Sequence, residues 1–387
     1  MKSVVIRAPL LTKSGYGEHS RQVFQYLLSK TNITVKTQVV PWGITPWHTN
    51  SSDCGGLVGE IVGRSSTSPD EKFDVSLQVI LPNEWDASIA KYNVGVTAGV
   101  ETDKCNPVWG SVHCNKMDKI IVPSNHTKKC FENSATISTP IHVVPEAYFN
   151  ELKEDPEDLD IILSTDFNFL TVGILTGHSP ETDRKNLFYL IKWFVEEFKE
   201  NEDVGLVIKT SRGRETTIDR SVTLKMLSKL LEEVGHKGTP KIHLLHGNMN
   251  RKEMNALYKH SQIKGFISAT RGEGFGLPML EASIAGLPVL ATNWSAHTEF
   301  LNLGKWVKFE YDLESINESK VDNNIFIAGS RWAHPREASV KRAMRKFYKS
   351  HKVPTQWAQD LSSKLKETHV ITEIMKKYDE ILAEVLG

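Results

Sequence analysis

Short runs of β-branched residues alternate with amphipathic stretches along the first third of the chain: VVIRAPL, HSRQVFQYLLSK, ITVKTQVV, then DVSLQVIL, NVGVTAGV and KIIVPS. Runs that are apolar at nearly every position suit strands covered on both faces. Their alternation with helix-period segments predicts a parallel sheet wrapped by helices. Residues 150–160, NELKEDPEDLD, break the pattern, being acidic, proline-containing and without an apolar period, as in an exposed linker. The alternation restarts with FLTVGIL, LFYLIKWFVEEFKE, DVGLVIKT, SVTLKMLSKLLEEVG, KIHLLHG, MNALYKH, IKGFISAT and MLEASIAG leading into LPVLAT, which predicts a second doubly wound unit. From Arg331 the chain reads as helical and basic, with 12 Lys and Arg against 7 Asp and Glu, a pattern most simply explained by a solvated helical face. The predicted class is therefore α/β, with an N-terminal domain over 1–155, a C-terminal domain over 156–340, and closing helices over 341–387 that cross back to the N-domain.

Bulk properties narrow the function only a little. A chain of 387 residues has room for two cores, and 47 basic against 47 acidic residues give no field that would draw it to nucleic acid or an anionic membrane. The opening MKSVVIRAPLL runs directly into polar TKSGYGEH and reads as a buried first strand, not a signal peptide. No run approaches the length of a membrane span, so a cytoplasmic protein is expected. Cys54, Cys105, Cys114 and Cys130 lack metal-knuckle spacing and read as reduced structural thiols.

The stretch RGEGFGLPMLE, residues 271–281, carries the chemistry. It follows the strand IKGFISAT and runs into the helix LPMLEASIAG, so it is a strand, a glycine loop and a helix start. Such a junction offers unpaired N–H groups and the positive end of a helix dipole, and Gly274 and Gly276 let a diphosphate approach the backbone. Glu273 and Glu281 are eight residues apart, a little over two helical turns, so both can face one ligand. A carboxylate accepts two O–H donors at once, which suits the diols of a sugar or ribose and not a phosphate. A tight turn with two solvent-facing acids is the alternative, and the strand and helix flanks argue against it.

The spacing E-x7-E within GEGFGLPMLEASIAGLPV resembles the donor signature of glycosyltransferase family 4, retaining enzymes of the GT-B fold. The segments TAGVETD and PSNHT resemble phage members. The resemblance implies two Rossmann-like domains facing across a cleft, the first presenting an acceptor and the second holding a UDP- or GDP-sugar, with no cofactor and no metal. It implies that Glu273 contacts the transferred hexose, Glu281 the ribose, and Gly274, Phe275, Gly276 and Leu277 the sugar and diphosphate. Arg184, Lys185 and Lys209, at strand ends, are candidates to neutralise the diphosphate. Lys185 matches the family's lysine, whereas Gly173-Ile174-Leu175 lacks its usual arginine. Gly15, Tyr16 and Gly17, in SGYGEH, resemble the loop that closes over the donor phosphates.

Other positions depart from the family. Many relatives have a histidine where this chain reads AGVETD, so Glu101 becomes the candidate for positioning or activating the acceptor hydroxyl, with a structural capping acid equally plausible. The loop 293–299 has Ala296 where glycine is common, and His297 reads as a loop histidine. Asp158-Leu159-Asp160 is a D-x-D, but an acidic linker makes it solvated charge and not a metal site. Alternatives from other classes are a sugar-nucleotide epimerase and a non-catalytic nucleotide-sugar binding module. The acceptor is left open among glycan, lipid, small molecule, protein and modified DNA base, and so is the oligomeric state.

Overall fold

The computed structural model describes residues 1–66, 68, 71–174 and 179–387. The chain forms two compact units: Met1–Ala147 with Asp322–Ile327 and Ile371–Gly387, and Tyr148–Val321 with Ala328–Val370. Unit 1 opens with β1 (Lys2–Ala8), α1 (Gly15–Leu28), β2 (Ile33–Val39), α2 (Leu57–Gly63), β3 (Phe73–Val79), β4 (Ala90–Val96), β5 (Lys119–Val122), α3 (Asn125–Ser134) and β6 (Ile141–Val143). All six strands are parallel, in the order β2-β1-β3-β4-β5-β6. Val4, Val5, Ile6, Leu77, Val94 and Ile121 are fully buried, as expected of strands covered on both faces.

Unit 2 contains β7 (Phe167–Val172), α4 (Leu187–Glu197), β8 (Val204–Thr210), α5 (Thr217–Glu233), β9 (Lys241–His246), α6 (Arg251–Tyr258), β10 (Ile263–Ser268), α7 (Leu277–Ile284), β11 (Val289–Thr292), α8 (His297–Leu301) and β12 (Val307–Phe309). Its parallel sheet runs β12-β11-β10-β7-β8-β9. The chain winds outward from β7 in one direction and from β10 in the other, and loops leaving two such neighbours diverge to open a crevice at their carboxyl ends. In unit 1 the corresponding reversal lies between β1 and β3. Helix starts are chemically marked: Ser14 accepts from Gly17 N–H ahead of α1, and capping boxes pair Thr216 with Asp219 and Asn250 with Glu253 ahead of α5 and α6.

Three features differ from the sequence expectation. The units divide between Ala147 and Tyr148, ahead of the acidic stretch, because Tyr148, Phe149 and Leu152 enter the core of unit 2; residues 153–158 are exposed. Residues from Arg331 do not begin as helix. They form β14 (Arg331–Pro335), antiparallel to β13 (Tyr311–Ser315), with Trp332 and Ala333 fully buried. Of the closing helices, α9 (Glu337–Lys349) and α10 (Lys352–Thr368) stay with unit 2, where Val340, Met344, Phe347, Leu361 and Leu365 are core residues. Only α11 (Ile371–Leu386) belongs to unit 1, where Ile374, Tyr378, Leu382 and Leu386 pack in the core that also takes Phe24 and Leu27 of α1. No helix of the described residues is long and apolar enough to cross a membrane.

The start of α1 is fitted tightly to the turn before it. A Cβ on Gly17 would stand 2.0 Å from the Thr12 carbonyl oxygen, whereas one on Gly15 would meet nothing within 4 Å. Gly17→Ala is therefore expected to destabilise the fold by about 1–3 kcal/mol through overpacking, read as a lower urea midpoint of unfolding. Gly15→Ala, the matched control, should be neutral or slightly stabilising. Equal effects of the two substitutions would contradict the steric account.

Candidate functional site

The reversal in unit 2 brings the loop after β7 beside the loop after β10, and side chains from the two loops meet at Glu273. Lys185 Nζ lies 2.7 and 2.8 Å from the two carboxylate oxygens, Arg184 donates to Oε2 at 3.2 Å, and Thr270 Oγ1 donates to Oε1 at 2.8 Å. Arg184 also donates to the Gly272 carbonyl at 2.7 Å, and Arg271 N–H to the Arg184 carbonyl at 2.9 Å, so the loops are joined through backbone and side chains. Glu273 is 6% exposed. Burial alone would raise its pKa, but the charges of Lys185 and Arg184 reverse the effect and bring it to about 2. Two cations against one carboxylate leave this group of side chains positive.

A second chain of bonds fixes the Glu273 backbone. Its N–H donates to Ser295 Oγ at 2.9 Å, Ser295 lies 3.3 Å from His297 Nδ1, and His297 Nε2 lies 2.7 Å from the Thr292 carbonyl. The carbonyl can only accept, so Nε2 carries the proton and Nδ1 accepts the Ser295 hydroxyl. That arrangement needs a neutral imidazole, and burial supplies one by lowering the His297 pKa to about 4. His297 is thus the first residue of α8 and a backbone support.

Gly276 takes φ +105° at the start of α7, and a Cβ there would stand 2.9 Å from that of His297, so both conformation and space call for glycine. Phe275 turns into the core against Phe300, leaving its backbone as the part a ligand could reach, and Leu277 packs beside the same core. Glu281 lies along α7 and accepts the Tyr258 hydroxyl at 2.8 Å. Beneath the loop, buried Arg271 sits over the Trp332 and Tyr189 rings, donates to the Asp183 and Pro180 carbonyls, and lies 2.6 Å from His334 Nδ1.

The structure does not gather every predicted residue here. Lys209 ends β8, where its ammonium donates to the Gly247 carbonyl at 2.5 Å and burial lowers its pKa. Glu101 and residues 15–17 belong to unit 1, and residues 15–17, expected as a loop, are the first turn of α1 behind its Ser14 cap. Glu101 lies in the loop after β4. Tyr16 bonds Thr97 at 2.9 Å and accepts from Ala98 N–H at 3.0 Å, tying the start of α1 to the end of β4. Of the residues noted for a missing arginine, Leu175 lies outside the described residues. Sequence reasoning missed Thr270, Ser295, Tyr258 and the Arg271 cage. Thr270 could have been found from its position at the strand exit, but nothing local marks Tyr258, which is 23 residues from Glu281.

With this geometry established, comparison with known proteins is informative. Residues 181–320 match the model of the family Glycosyl transferases group 1. That span contains Arg184, Lys185, Glu273 and Glu281. A sucrose synthase of Melioribacter roseus is 24% identical over 175 residues, 42% of this chain and 21% of that protein. One from Solanum tuberosum is 29% identical over 125 residues, 31% of this chain and 15% of that protein. The chain thus spans about a fifth or less of these relatives. Among solved structures, a glycosyltransferase from Rickettsia africae aligns with TM-score 0.65 at 14% identity, covering 100% of this chain and 99% of that one. Anabaena HepE in complex with UDP and glucose aligns with TM-score 0.64 at 12% identity, covering 99% and 100%. At such identities the likeness is one of fold, and the fold is GT-B, built of two Rossmann-like α/β units.

Removing one partner of a buried carboxylate leaves charge undercompensated, so Lys185→Met should destabilise unit 2 by about 2 kcal/mol at pH 7, with Arg184 and Thr270 retaining part of the interaction. The folded pKa of Glu273 is depressed, so the stabilisation is fully present above the ordinary glutamate value and is lost as pH falls towards about 2. The gap between wild type and variant in urea unfolding should therefore be wide at pH 7 and narrower at pH 3.5. A gap independent of pH would contradict the assignment.

Proposed function

We propose that this protein is a retaining, metal-independent glycosyltransferase that moves a hexose from a nucleoside-diphosphate sugar to an acceptor hydroxyl. The observation that carries this reading is the Arg184–Lys185–Glu273 group at the carboxyl ends of β7 and β10, the switch point at which a doubly wound sheet binds its ligand. In this reading the diphosphate lies against the start of α7, where helix dipole and backbone favour an anion. Arg184 and Lys185 stabilise the charge that grows on it as the bond to the sugar breaks. Glu273 meets the hexose hydroxyls, and Glu281, oriented by Tyr258, meets the ribose. The acceptor oxygen attacks the anomeric carbon on the face the leaving group departs from, and its proton passes to the departing phosphate oxygen. Unit 1 carries the acceptor, with Glu101 its candidate for orienting the attacking hydroxyl.

Support comes from the family match over 181–320 and from the fold shared with glycosyltransferases. The test is a thermal-shift panel of UDP- and GDP-sugars and the free nucleotides, followed by turnover with the best stabiliser. A ligand at 100 times its Kd should stabilise the protein by about 2.7 kcal/mol. Glu281→Ala should abolish most of that shift. Glu273→Ala should keep part of it while transfer falls by about 100-fold or more, the scale of losing a transition-state contact. If no nucleotide or nucleotide sugar shifts the melting temperature, the donor site is wrongly assigned. If Glu273→Ala transfers sugar at the wild-type rate, the catalytic role is wrong.

A further inference from the structure

The loop after β2 in unit 1 presents aromatic surface to solvent on an ordered backbone. Trp42 stacks on Tyr16 with ring centroids 3.9 Å apart, and Tyr16 is itself fixed to Thr97 and Ala98. Ile44 is 76% exposed and Trp47 41%. This is not a loosely tethered loop. Lys13 N–H donates to the Pro46 carbonyl at 2.9 Å, His48 N–H to that of Leu11 at 2.7 Å, and Thr45 Oγ1 to that of Trp42 at 2.9 Å. Large apolar side chains held open to water on an ordered loop mark a binding surface, and aromatic rings provide it at low cost in side-chain entropy.

The composition narrows what it binds. Residues 41–52, PWGITPWHTNSS, contain no Asp, Glu, Lys or Arg. The exposed Trp47 stands in a segment of hydroxyl and amide side chains, with His48 Nδ1 3.0 Å from Asp53, while Trp42 backs the loop from its stack on Tyr16. A pyranose has the matching surface, with a C–H face to lie on an indole and a rim of hydroxyls to meet polar neighbours. A polyanion would find no cation within residues 41–52, Lys13 lying at their border and Arg21 being buried, and an acyl chain would leave the segment's polar groups unpaired. We infer that the Trp42–Trp47 loop is the subsite for a neutral glycan acceptor, a reading that rests on the glycosyltransferase function proposed above.

The test uses the intact protein on an array of neutral and charged pyranose glycans, with the best binder titrated by calorimetry against wild type, Trp47→Ala and Trp47→Phe, and the thermal shift by UDP and by GDP measured on each. The expected result is binding of a neutral glycan that weakens at least tenfold in Trp47→Ala and is largely kept in Trp47→Phe, with the nucleotide shift the same in all three proteins. Binding of no neutral glycan while a nucleotide shift persists overturns the inference and leaves the donor site standing. Equal glycan affinity in Trp47→Ala overturns it as well. So does Trp47-dependent binding of monomeric dodecyl maltoside with none of maltose or the other glycans, which would indicate an alkyl chain. Glycan binding without any nucleotide shift in the wild type would strike the transferase reading, a separable result.

Discussion

Glu273 is a charged carboxylate in a place nearly closed to water, and unit 2 is arranged around keeping it so. Lys185 and Arg184 supply the compensating charge, and both come from the loop after β7, while Glu273 comes from the loop after β10. The ion pairs therefore depend on the strand order, which makes β7 and β10 neighbours although about a hundred residues separate them. The dependence also runs the other way. Two loops leaving a sheet in opposite directions would splay, and Arg271 N–H, Arg184 and Lys185 hold them together.

Layers beneath the carboxylate reinforce this arrangement. Ser295 and neutral His297 fix its backbone from the β11 side, and the buried Arg271, held by Trp332, His334 and the Asp183 carbonyl, forms the floor. That floor explains why β13 and β14 form a small sheet away from the main one: Ala333 N–H donates to the Arg271 carbonyl, so the hairpin closes over the loop from below. Preorganisation of this kind matters most where charge must be stabilised without reorganisation during a reaction.

Much of this was legible in the sequence for a physical reason. Strands buried on both faces must be apolar at most positions, so β1, β8 and β10 stand out, and the glycine loop with its two acids lies in contiguous residues. Long-range geometry was not legible. Nothing local says that Arg184 and Lys185 reach Glu273 while Lys209, also at a strand end, turns to the Gly247 carbonyl. The antiparallel pairing of residues 331–335 was hidden because a five-residue strand followed by a basic helix reads as one helical tract. The acidic stretch concealed the boundary between units because Leu152, amid charges, is fully buried.

The two acids that look alike in E-x7-E differ in what holds them. Glu273 is bonded to two cations and a hydroxyl, a surrounding that in the proposed reading suits a phosphate beside a sugar. Glu281 is oriented by the Tyr258 hydroxyl, whose pKa burial raises well above its ordinary value; that bond supplies direction without positive charge. An acceptor oriented by a neutral donor suits a vicinal diol, which needs lone pairs at a fixed angle and brings no charge to neutralise. In the proposed reading the same side chain, set eight residues apart on one loop and helix, serves the reacting end of a nucleotide sugar in one case and its ribose in the other.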